Sequence, residues 1–332
     1  MAKGHKPKAG SRAYWPRKRA KRIYPRLKHS KDLERVSRKI SDVKPLEFGG
    51  YKAGMTQVVL TDTGKGSVTQ GQDISRPVSV IECPPLFVFG IKLYRESHDG
   101  LRTEGMIWAK ELKKDMVRKL DIPKGGTSKV SDFEGKLGKI TDIRLLVHTQ
   151  PRESGLGKKK PEVFEIDLAG NIEGKWNYAK GKLGKEIDVS EVFSEGEYID
   201  VKSVTKGKGF QGVVKRFGVK IRSRKNKGKR RHIGTMGPVT PGRVLPGAIP
   251  QAGQLGFQTR TEYGKRLIKI GDEGLKIKGG FVNYGYVKKN YALVEGSVPG
   301  PKKRFILLRK SFRKTDVKEP AEVKSVSFES QQ

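Results

Sequence analysis

The amino-acid sequence predicts a mainly β protein with an α/β insert and with basic segments that lie outside any core. Glycine and proline supply 58 of the 332 residues and apolar residues reach only 34%, a composition typical of a turn-rich chain. Segments with strand-like alternation, separated by glycine-containing turns, occur before residue 95 and after residue 262. This pattern fits a β-barrel and a β-sandwich equally well, so it defines the class and leaves the architecture open.

The first part of the chain is predicted to hold an arm and then strands. Residues 1–45 favour an extended arm, because prolines interrupt them at positions 7, 16 and 25. The body begins near Leu46, and alternating apolar residues predict strands over 50–62, 76–83 and 86–94. Pro84 and Pro85 separate the last two strands.

Helical patterns appear in residues 86–194, which are predicted to form the α/β insert. A helix is expected over 106–120, where four apolar residues recur at helical spacing: Trp108, Leu112, Met116 and Leu120. A second helix is expected over 128–138 and a strand over 140–150. Asp188 followed by Glu191 predicts a short helix that begins with a capping box.

The remainder of the chain returns to β character. Strands are predicted over 197–205, 265–273, 281–287, 291–298 and 304–312. The domain organisation predicted from these elements is an arm (1–45), a barrel body (46–85 and 195–315), the α/β insert (86–194), an acid-free basic loop within the barrel (202–261) and a C-terminal tail (316–332).

The formal net charge of +36 is concentrated in three tracts that contain no acidic residue. Residues 1–31 hold 12 lysines and arginines, residues 201–261 hold 15, and residues 301–315 hold 7. The other 225 positions are nearly neutral, with 37 basic and 35 acidic residues. The chain therefore consists of a near-neutral scaffold and three cationic segments.

Electrostatics favours an external polyanion for these tracts. Neighbouring residues lie about 3.5 Å apart and the Debye length in the cell is about 8 Å, so adjacent charges repel with little screening. The tracts hold too few apolar residues to offset this repulsion by burial. A merely solvated surface does not require 61 consecutive residues without an acid. An anionic membrane would call for an amphipathic helical pattern, which the tracts lack, so nucleic acid is the favoured partner.

Aromatic residues interleave with the cations of the arm, in "YWPRKRAKRIYPR" over residues 14–26. Tyr14, Trp15 and Tyr24 can stack on bases while the neighbouring cations hold phosphates. Alternatively, these rings anchor the arm to its own domain.

Several classes of chemistry find no support in the sequence. Cys83 is the single cysteine, so there is neither a disulfide framework nor a CxxC zinc site, and the five histidines lack metal-ligand spacing. No apolar run approaches the roughly 20 residues that span a bilayer, and no apolar segment follows the basic N-terminus as in a signal peptide. We therefore predict no enzyme activity, cofactor, metal, membrane partner or small-molecule substrate.

Gly207, Gly209 and Gly212 spell GxGxxG, the spacing of a dinucleotide-binding loop. That loop requires a helix after it and an acidic residue about 20 positions on. Here the following "VVKRFGVKI" predicts a strand, and the next acid is Glu262. The chain also lacks the HRD and DFG motifs of a kinase. Glycine in this segment instead allows the backbone to lie close against a phosphate or sugar.

Six segments together resemble the large-subunit ribosomal protein L3 family, in the order that the family has them: "AYWPRKRA", "GYKAGMT", "VTKGKGFQGVVKRFGV", "RRHIGTMGPVTPGRV", "PQAGQLGFQTRTE" and "GSVPGPKKR". The N-terminal extension and the long insert look like the archaeal and eukaryotic branch. The resemblance implies a translation-factor-like β-barrel with an α/β insert. It also implies an N-terminal extension and a long loop that thread into ribosomal RNA, the loop reaching toward the peptidyl transferase centre, and binding early in subunit assembly.

The resemblance centres the loop on residues 230–256, with its tip at Pro238, Val239, Thr240, Pro241 and Gly242. Archaeal and eukaryotic relatives often carry tryptophan near the tip, followed after one residue by proline, where this chain has Val239. The Thr-Pro-Gly-Arg stretch looks more like bacterial relatives. An aromatic role for the tip is therefore not expected here.

The predicted RNA-binding residues come from all three tracts. They are Arg12, Tyr14, Trp15, Arg17, Lys18, Arg19, Lys21, Arg22, Arg26, Lys206, Lys208, Lys215, Arg216, Arg222, Arg224, Lys225, Lys229, Arg230, Arg231, His232, Arg243, Arg260, Lys302, Lys303 and Arg304. The expected partners are large-subunit ribosomal RNA and neighbouring ribosomal proteins, in the cytoplasm. Two competing hypotheses are an RNA-modifying or RNA-cleaving enzyme and a general nucleic-acid compactor. A compactor would not need the large near-neutral scaffold that this chain contains.

Overall fold

The computed structural model describes residues 14–25, 36–37, 40, 42–64, 66–121, 130–135, 137–245, 247–313 and 322–330. The chain divides into two compact units. Met1–Lys21 and Val204–Thr259 form one, called here the acid-free unit. Arg22–Ser203 and Arg260–Gln332 form the other, called the barrel unit.

The strands, in chain order, are β1 (Glu47–Thr61), β2 (Asp73–Glu82), β3 (Leu86–Ser97), β4 (Gly100–Trp108), β5 (Asp142–His148), β6 (Val163–Asp167), β7 (Glu186–Ile187), β8 (Tyr198–Val204), β9 (Phe210–Gln211), β10 (Gly253–Gln254), β11 (Thr259–Gly271), β12 (Tyr291–Glu295), β13 (Phe305–Lys310) and β14 (Val323–Val326). The α-helices are α1 (Ser131–Glu134), α2 (Ile172–Lys182), α3 (Val189–Val192) and α4 (Val213–Phe217). Short 3-10 helices occupy Lys114–Arg118, Leu137–Lys139, Pro151–Glu153 and Arg224–Lys229.

Six strands close into a barrel in the order β13, β8, β11, β12, β2, β1, with β1 also pairing β13. The first residues of β1 pair with β13, from Glu47 opposite Arg309 to Tyr51 opposite Phe305. The rest of β1 pairs with β2, and β14 adds to its far end. Closure removes the exposed strand edges that a sandwich keeps. The predicted mainly β fold is therefore confirmed, and the architecture that the pattern left open is a barrel.

Glycines in β1 leave room for aromatic rings in the hydrophobic core. A Cβ on Gly49 would lie 2.5 Å from Cζ of Phe305, and one on Gly54 would lie 2.4 Å from Cδ1 of Phe281. The Phe305 ring also packs against Tyr51 and Phe164, at centroid distances of 5.9 and 5.3 Å. These positions tolerate no side chain, because a ring already occupies the space.

The second sheet has the order β4, β3, β5, β6, with β7 pairing β3, and helix α2 packs on β5. The helix predicted over 106–120 is wrong, since 106–108 end β4 and only Lys114–Arg118 forms a 3-10 helix. Its four apolar residues nevertheless pack together over this sheet. The helical spacing of these residues therefore reflects that they contact the same surface, which a strand end and a 3-10 helix form together.

Other elements agree in part with the sequence-based predictions. The capping box of α3 and the remaining predicted strands are present, except over 281–287, where Phe281 and Gly285 close a tight turn. The helix predicted over 128–138 is reduced to α1 and a 3-10 helix, with residues 128, 129 and 136 outside the described residues. The predicted strand after Gly212 is instead α4, which ends because Gly218 adopts a left-handed φ of 66°.

Candidate nucleic-acid interface

The acid-free unit contains no aspartate or glutamate at all. Met1–Lys21 carries eight lysines and arginines, and Val204–Thr259 carries thirteen. All 35 acidic residues therefore lie in the barrel unit. Two tracts that are far apart in the sequence thus belong to one compact cationic unit.

A narrow neck of paired backbone begins and ends the long loop. The Thr205 N–H donates to the Gln258 carbonyl at 3.0 Å, and the Lys208 N–H donates to the Leu255 carbonyl at 2.9 Å. β9 and β10 extend this ladder. Gly256 is required here, because its φ is +72° and a Cβ would lie 2.1 Å from the Lys206 carbonyl oxygen. The neck fixes where the loop starts, while the described residues of the loop beyond it lack such a ladder over most of their length.

Beyond the neck, no described residue of 206–251 is buried. None of the hydrophobic core clusters contains a described residue from this range. Ten of the predicted contact residues are exposed: Lys206, Lys208, Lys215, Arg224, Lys225, Lys229, Arg230, Arg231, His232 and Arg243. The tip is exposed too, with Val239 93% accessible. This part of the loop therefore has no core of its own to stabilise it.

Arg216 and Arg222 are half-buried within the loop. The Arg216 guanidinium donates to the carbonyls of Gln254 (3.1 Å) and Gln251 (2.7 Å). Burial and the neighbouring Arg17 lower the pKa of Arg216. Arg216 thus braces the return of the loop toward its neck, a structural role that the sequence did not predict.

The N-terminal arm joins the same unit. The Ala20 N–H donates to the Phe257 carbonyl at 2.7 Å, and the Arg17 guanidinium lies 4.6 Å from the centroid of the Phe217 ring. Tyr14 and Trp15 are 80% and 56% exposed, so their faces are open to a ligand. The next residues in the chain belong to the barrel unit, where Tyr24 packs against the hydrophobic core. Tyr24 thus agrees with the anchoring alternative, whereas base stacking by Tyr14 and Trp15 stays a prediction.

Most of the other predicted residues of the arm and neck are exposed, and two lie outside the described residues. Lys18, Arg19, Lys21, Arg22 and Arg260 are exposed. Arg12 and Arg26 lie outside the described residues.

The third tract differs from the first two, because most of it forms or borders barrel strand β13. Lys310 pairs with Glu197 at 2.9 Å, and Arg309 lies 3.7 Å from Asp200. Lys303 is exposed, Lys302 and Arg304 are half-buried, and burial lowers the pKa of Arg304. Acids that lie about a hundred residues earlier thus neutralise part of this tract. For this tract, the lack of acids nearby in the sequence therefore does not indicate an external polyanion, because the fold supplies acids from elsewhere in the chain.

A further basic cluster escaped the sequence analysis. Lys158, Lys159 and Lys160 follow one another in the insert, which carries 21 basic and 17 acidic residues. The signal that identifies them is this run of three lysines. The run is hidden when the charge of the whole insert is summed, because acidic residues on both sides offset it.

The described residues contain no group of three or more histidine, cysteine, aspartate or glutamate side chains that could hold a metal ion. In the same part of the chain, no helix combines the length and the apolar character needed to cross a membrane.

Fold and site together define a β-barrel protein that carries a compact, acid-free cationic extension. The family model described as Ribosomal protein L3 matches residues 1–331, and the chain belongs to this family. Membership in a family of structural ribosomal proteins confirms the prediction that the chain is not an enzyme.

Curated relatives carry the name large ribosomal subunit protein uL3. The protein of Methanothermobacter thermautotrophicus is 44% identical over 331 residues, covering 97% of this chain and 96% of the relative. The protein of Archaeoglobus fulgidus is 45% identical over 320 residues, covering 94% and 93%. The protein of Methanococcus aeolicus is 43% identical over 321 residues, covering 95% and 94%. These archaeal relatives agree with the branch that the sequence resembles.

Proposed function

We propose that this chain is a structural component of the large ribosomal subunit that binds large-subunit ribosomal RNA, chiefly through its acid-free unit. One observation carries the proposal. Twenty-one lysines and arginines, eight in Met1–Lys21 and thirteen in Val204–Thr259, belong to a compact unit without a single acid. The relatives' name supports the ribosomal setting, and with it a cytoplasmic location and neighbouring ribosomal proteins as partners.

The physical basis is counterion release. Each phosphate that a lysine or arginine neutralises frees a condensed cation, which makes binding favourable and dependent on salt. Such contacts position a protein without reading sequence. Recognition of the particular RNA then comes from its shape, its 2′-hydroxyls and a few inserted side chains such as Tyr14 and Trp15.

The loop suits a path between RNA helices. Residues 237–256 are rich in proline, which limits the conformations open to the free chain and so reduces the entropy lost on ordering. They are also rich in glycine, which lets the backbone turn sharply and lie close to a phosphate or sugar. The exposed tip, from Pro238 to Gly242, carries no charge that would hold it at the surface of the RNA. We extend the proposal to a loop that reaches toward the peptidyl transferase centre and to binding early in subunit assembly, as the family resemblance implies.

Salt-dependent competition binding tests the proposal. The purified full chain is titrated with large-subunit ribosomal RNA and, separately, with random duplex DNA of equal charge at several salt concentrations. We expect tighter binding to the ribosomal RNA, with log K falling by roughly 0.7–0.9 per neutralised phosphate for each tenfold rise in salt. Equal affinity for both nucleic acids would indicate a general compactor and contradict the proposal.

A further inference from the structure

A surface loop of the barrel unit, residues 153–160, is held in place by a buried carboxylate. Glu82 lies at the end of β2 and is fully buried. Its Oε2 accepts the Gly155 N–H at 2.9 Å and the Tyr284 hydroxyl, and its Oε1 accepts the Lys288 N–H at 2.7 Å. One carboxyl group thus ties the loop to the turn at 284–288 through three hydrogen bonds.

Close packing fixes the same loop. A Cβ on Gly155 would lie 2.2 Å from the Tyr286 carbonyl oxygen, so only glycine lets the two backbones approach. Leu156 is buried, and at the other end Glu162 is buried, where its N–H donates to Thr149 Oγ1 at 3.0 Å. The backbone that carries Lys158, Lys159 and Lys160 is therefore anchored on both sides.

The lysines on this anchored segment lie close enough for their positive charges to repel one another. Lys158 is half-buried and pairs with Glu162, whereas Lys159 and Lys160 are exposed. Burial, together with the nearby ammonium groups of Lys119 and Lys160, lowers the pKa of Lys158 to about 8. Lys119 lies on another segment, so the fold brings cations together that the sequence keeps apart.

The Tyr24 ring links Lys119 to one further cation, Arg22. The Lys119 ammonium lies 5.3 Å from the centroid of the Tyr24 ring, and the Arg22 guanidinium lies 5.7 Å from it. The ring packs against the hydrophobic core, which fixes its position. Among the ion pairs between described residues, the cluster contributes only the Lys158–Glu162 pair, so the other four cations are left for a ligand.

We propose that Arg22, Lys119, Lys158, Lys159 and Lys160 form a second phosphate-binding surface, which we call the lysine platform, and that it binds the sugar–phosphate backbone of a folded RNA segment. The inference rests on the proposed function and adds a site of a different kind. The backbone that carries Lys158, Lys159 and Lys160 is anchored on the packed barrel unit before RNA arrives. Ordering this segment on a phosphate array therefore costs less entropy than ordering the coreless loop.

The test replaces three exposed or half-exposed members, Lys119→Gln, Lys159→Gln and Lys160→Gln, in the full chain. Lys158 is left in place, because its removal would leave Glu162 buried without a cation. We expect the salt slope of ribosomal RNA binding to fall by roughly 2 to 3 and the affinity at about 0.1 M salt to fall tenfold or more. The matched control removes the same charge from exposed lysines elsewhere on the barrel unit, Lys139→Gln, Lys185→Gln and Lys276→Gln, and is expected to change affinity less than twofold.

An unchanged slope and affinity in the platform variant, or an equal loss in the control, would overturn the inference. Urea unfolding of each variant checks that the barrel unit is intact. Crosslinking in reconstituted subunits adds a second readout, with Lys160 expected to crosslink to RNA; crosslinking to a protein instead would also overturn it. If the unaltered chain itself shows no salt-dependent RNA binding, the proposed function fails, so the two failures are distinguishable.

Discussion

The barrel unit and the acid-free unit carry positive charge in opposite ways. In the barrel unit cations interleave with acids: Arg144 lies 3.0 Å from Asp142 and 2.8 Å from Asp167, and Lys310 lies 2.9 Å from Glu197. The acid-free unit offers its cations no acid of its own. The two units therefore differ in where their acids lie: the barrel unit neutralises part of its own basic charge, and the acid-free unit does not.

Burial divides the units in the same way. The core clusters hold residues of β1, β2, β3, β5, β8 and β12, while the described residues of 206–251 hold no buried side chain. Burial of apolar surface stabilises a fold by about 25 cal/mol per Å², so only the barrel unit has the means to offset its loss of chain entropy.

The largest expected effect comes from deleting residues 206–256 and joining the neck with a short glycine–serine linker. Affinity for large-subunit RNA should fall about a thousandfold, about 4 kcal/mol, because most of the cations of the acid-free unit are lost. The barrel unit should keep its melting temperature, since no core residue is removed. RNA-binding titrations measure the affinity, and calorimetry on the same preparation measures the melting temperature. A deletion that unfolds the barrel unit would contradict the proposed independence of the two units.

Core truncation should have the reverse pattern. Phe305→Ala should lower the free energy of unfolding by about 3–5 kcal/mol, because the ring is 1% exposed and packs against Tyr51 and Phe164. Phe210→Ala, in the acid-free unit, should change it by less than about 0.5 kcal/mol, because that ring is 76% exposed. Urea titration measures both; similar losses from the two variants would show that the acid-free unit has a packed core after all.

A single lysine in each unit sharpens the comparison. Lys310→Met should lower the free energy of unfolding by about 1–3 kcal/mol, because it leaves the mostly buried Glu197 carboxylate without its cation. Adding Glu197→Gln should recover much of this loss, while RNA affinity stays unchanged. Lys208→Met should instead weaken RNA binding and leave unfolding unchanged. The expectation is wrong if Lys310→Met weakens RNA binding at unchanged stability.

The smallest effect concerns pH. His148 is 1% exposed, and burial, with a smaller contribution from Lys113, lowers its pKa. The His148 imidazole therefore binds a proton near pH 6.5 in the unfolded chain, but only at a lower pH in the folded chain. The free energy of unfolding should fall as pH drops from about 7 to 5.5, with a slope of up to about 1.4 kcal/mol per pH unit. His148→Met should flatten this dependence, whereas His98→Met, at an exposed position, should preserve it.

The sequence predicted features whose signal is local. Alternating residues identified most barrel strands, Asp188 and Glu191 identified a helix start, and the absence of acids identified the loop. Helix α2 was missed because Gly174 and Gly181 weaken its helical signal, although Asn171 caps it by accepting the Gly174 N–H at 3.0 Å. A local pattern carries no trace of the tertiary contacts that pair Lys310 with Glu197 or bring Lys119 to Lys158.

Amide hydrogen exchange of the full chain, with and without large-subunit ribosomal RNA, tests most directly whether the acid-free unit depends on RNA for its structure. The account predicts that residues 206–251 exchange nearly as fast as an unfolded chain in the free protein and become protected on the RNA, while β1, β2 and β13 stay protected in both states. Strong protection of residues 206–251 in the free protein, unchanged by salt, would contradict it.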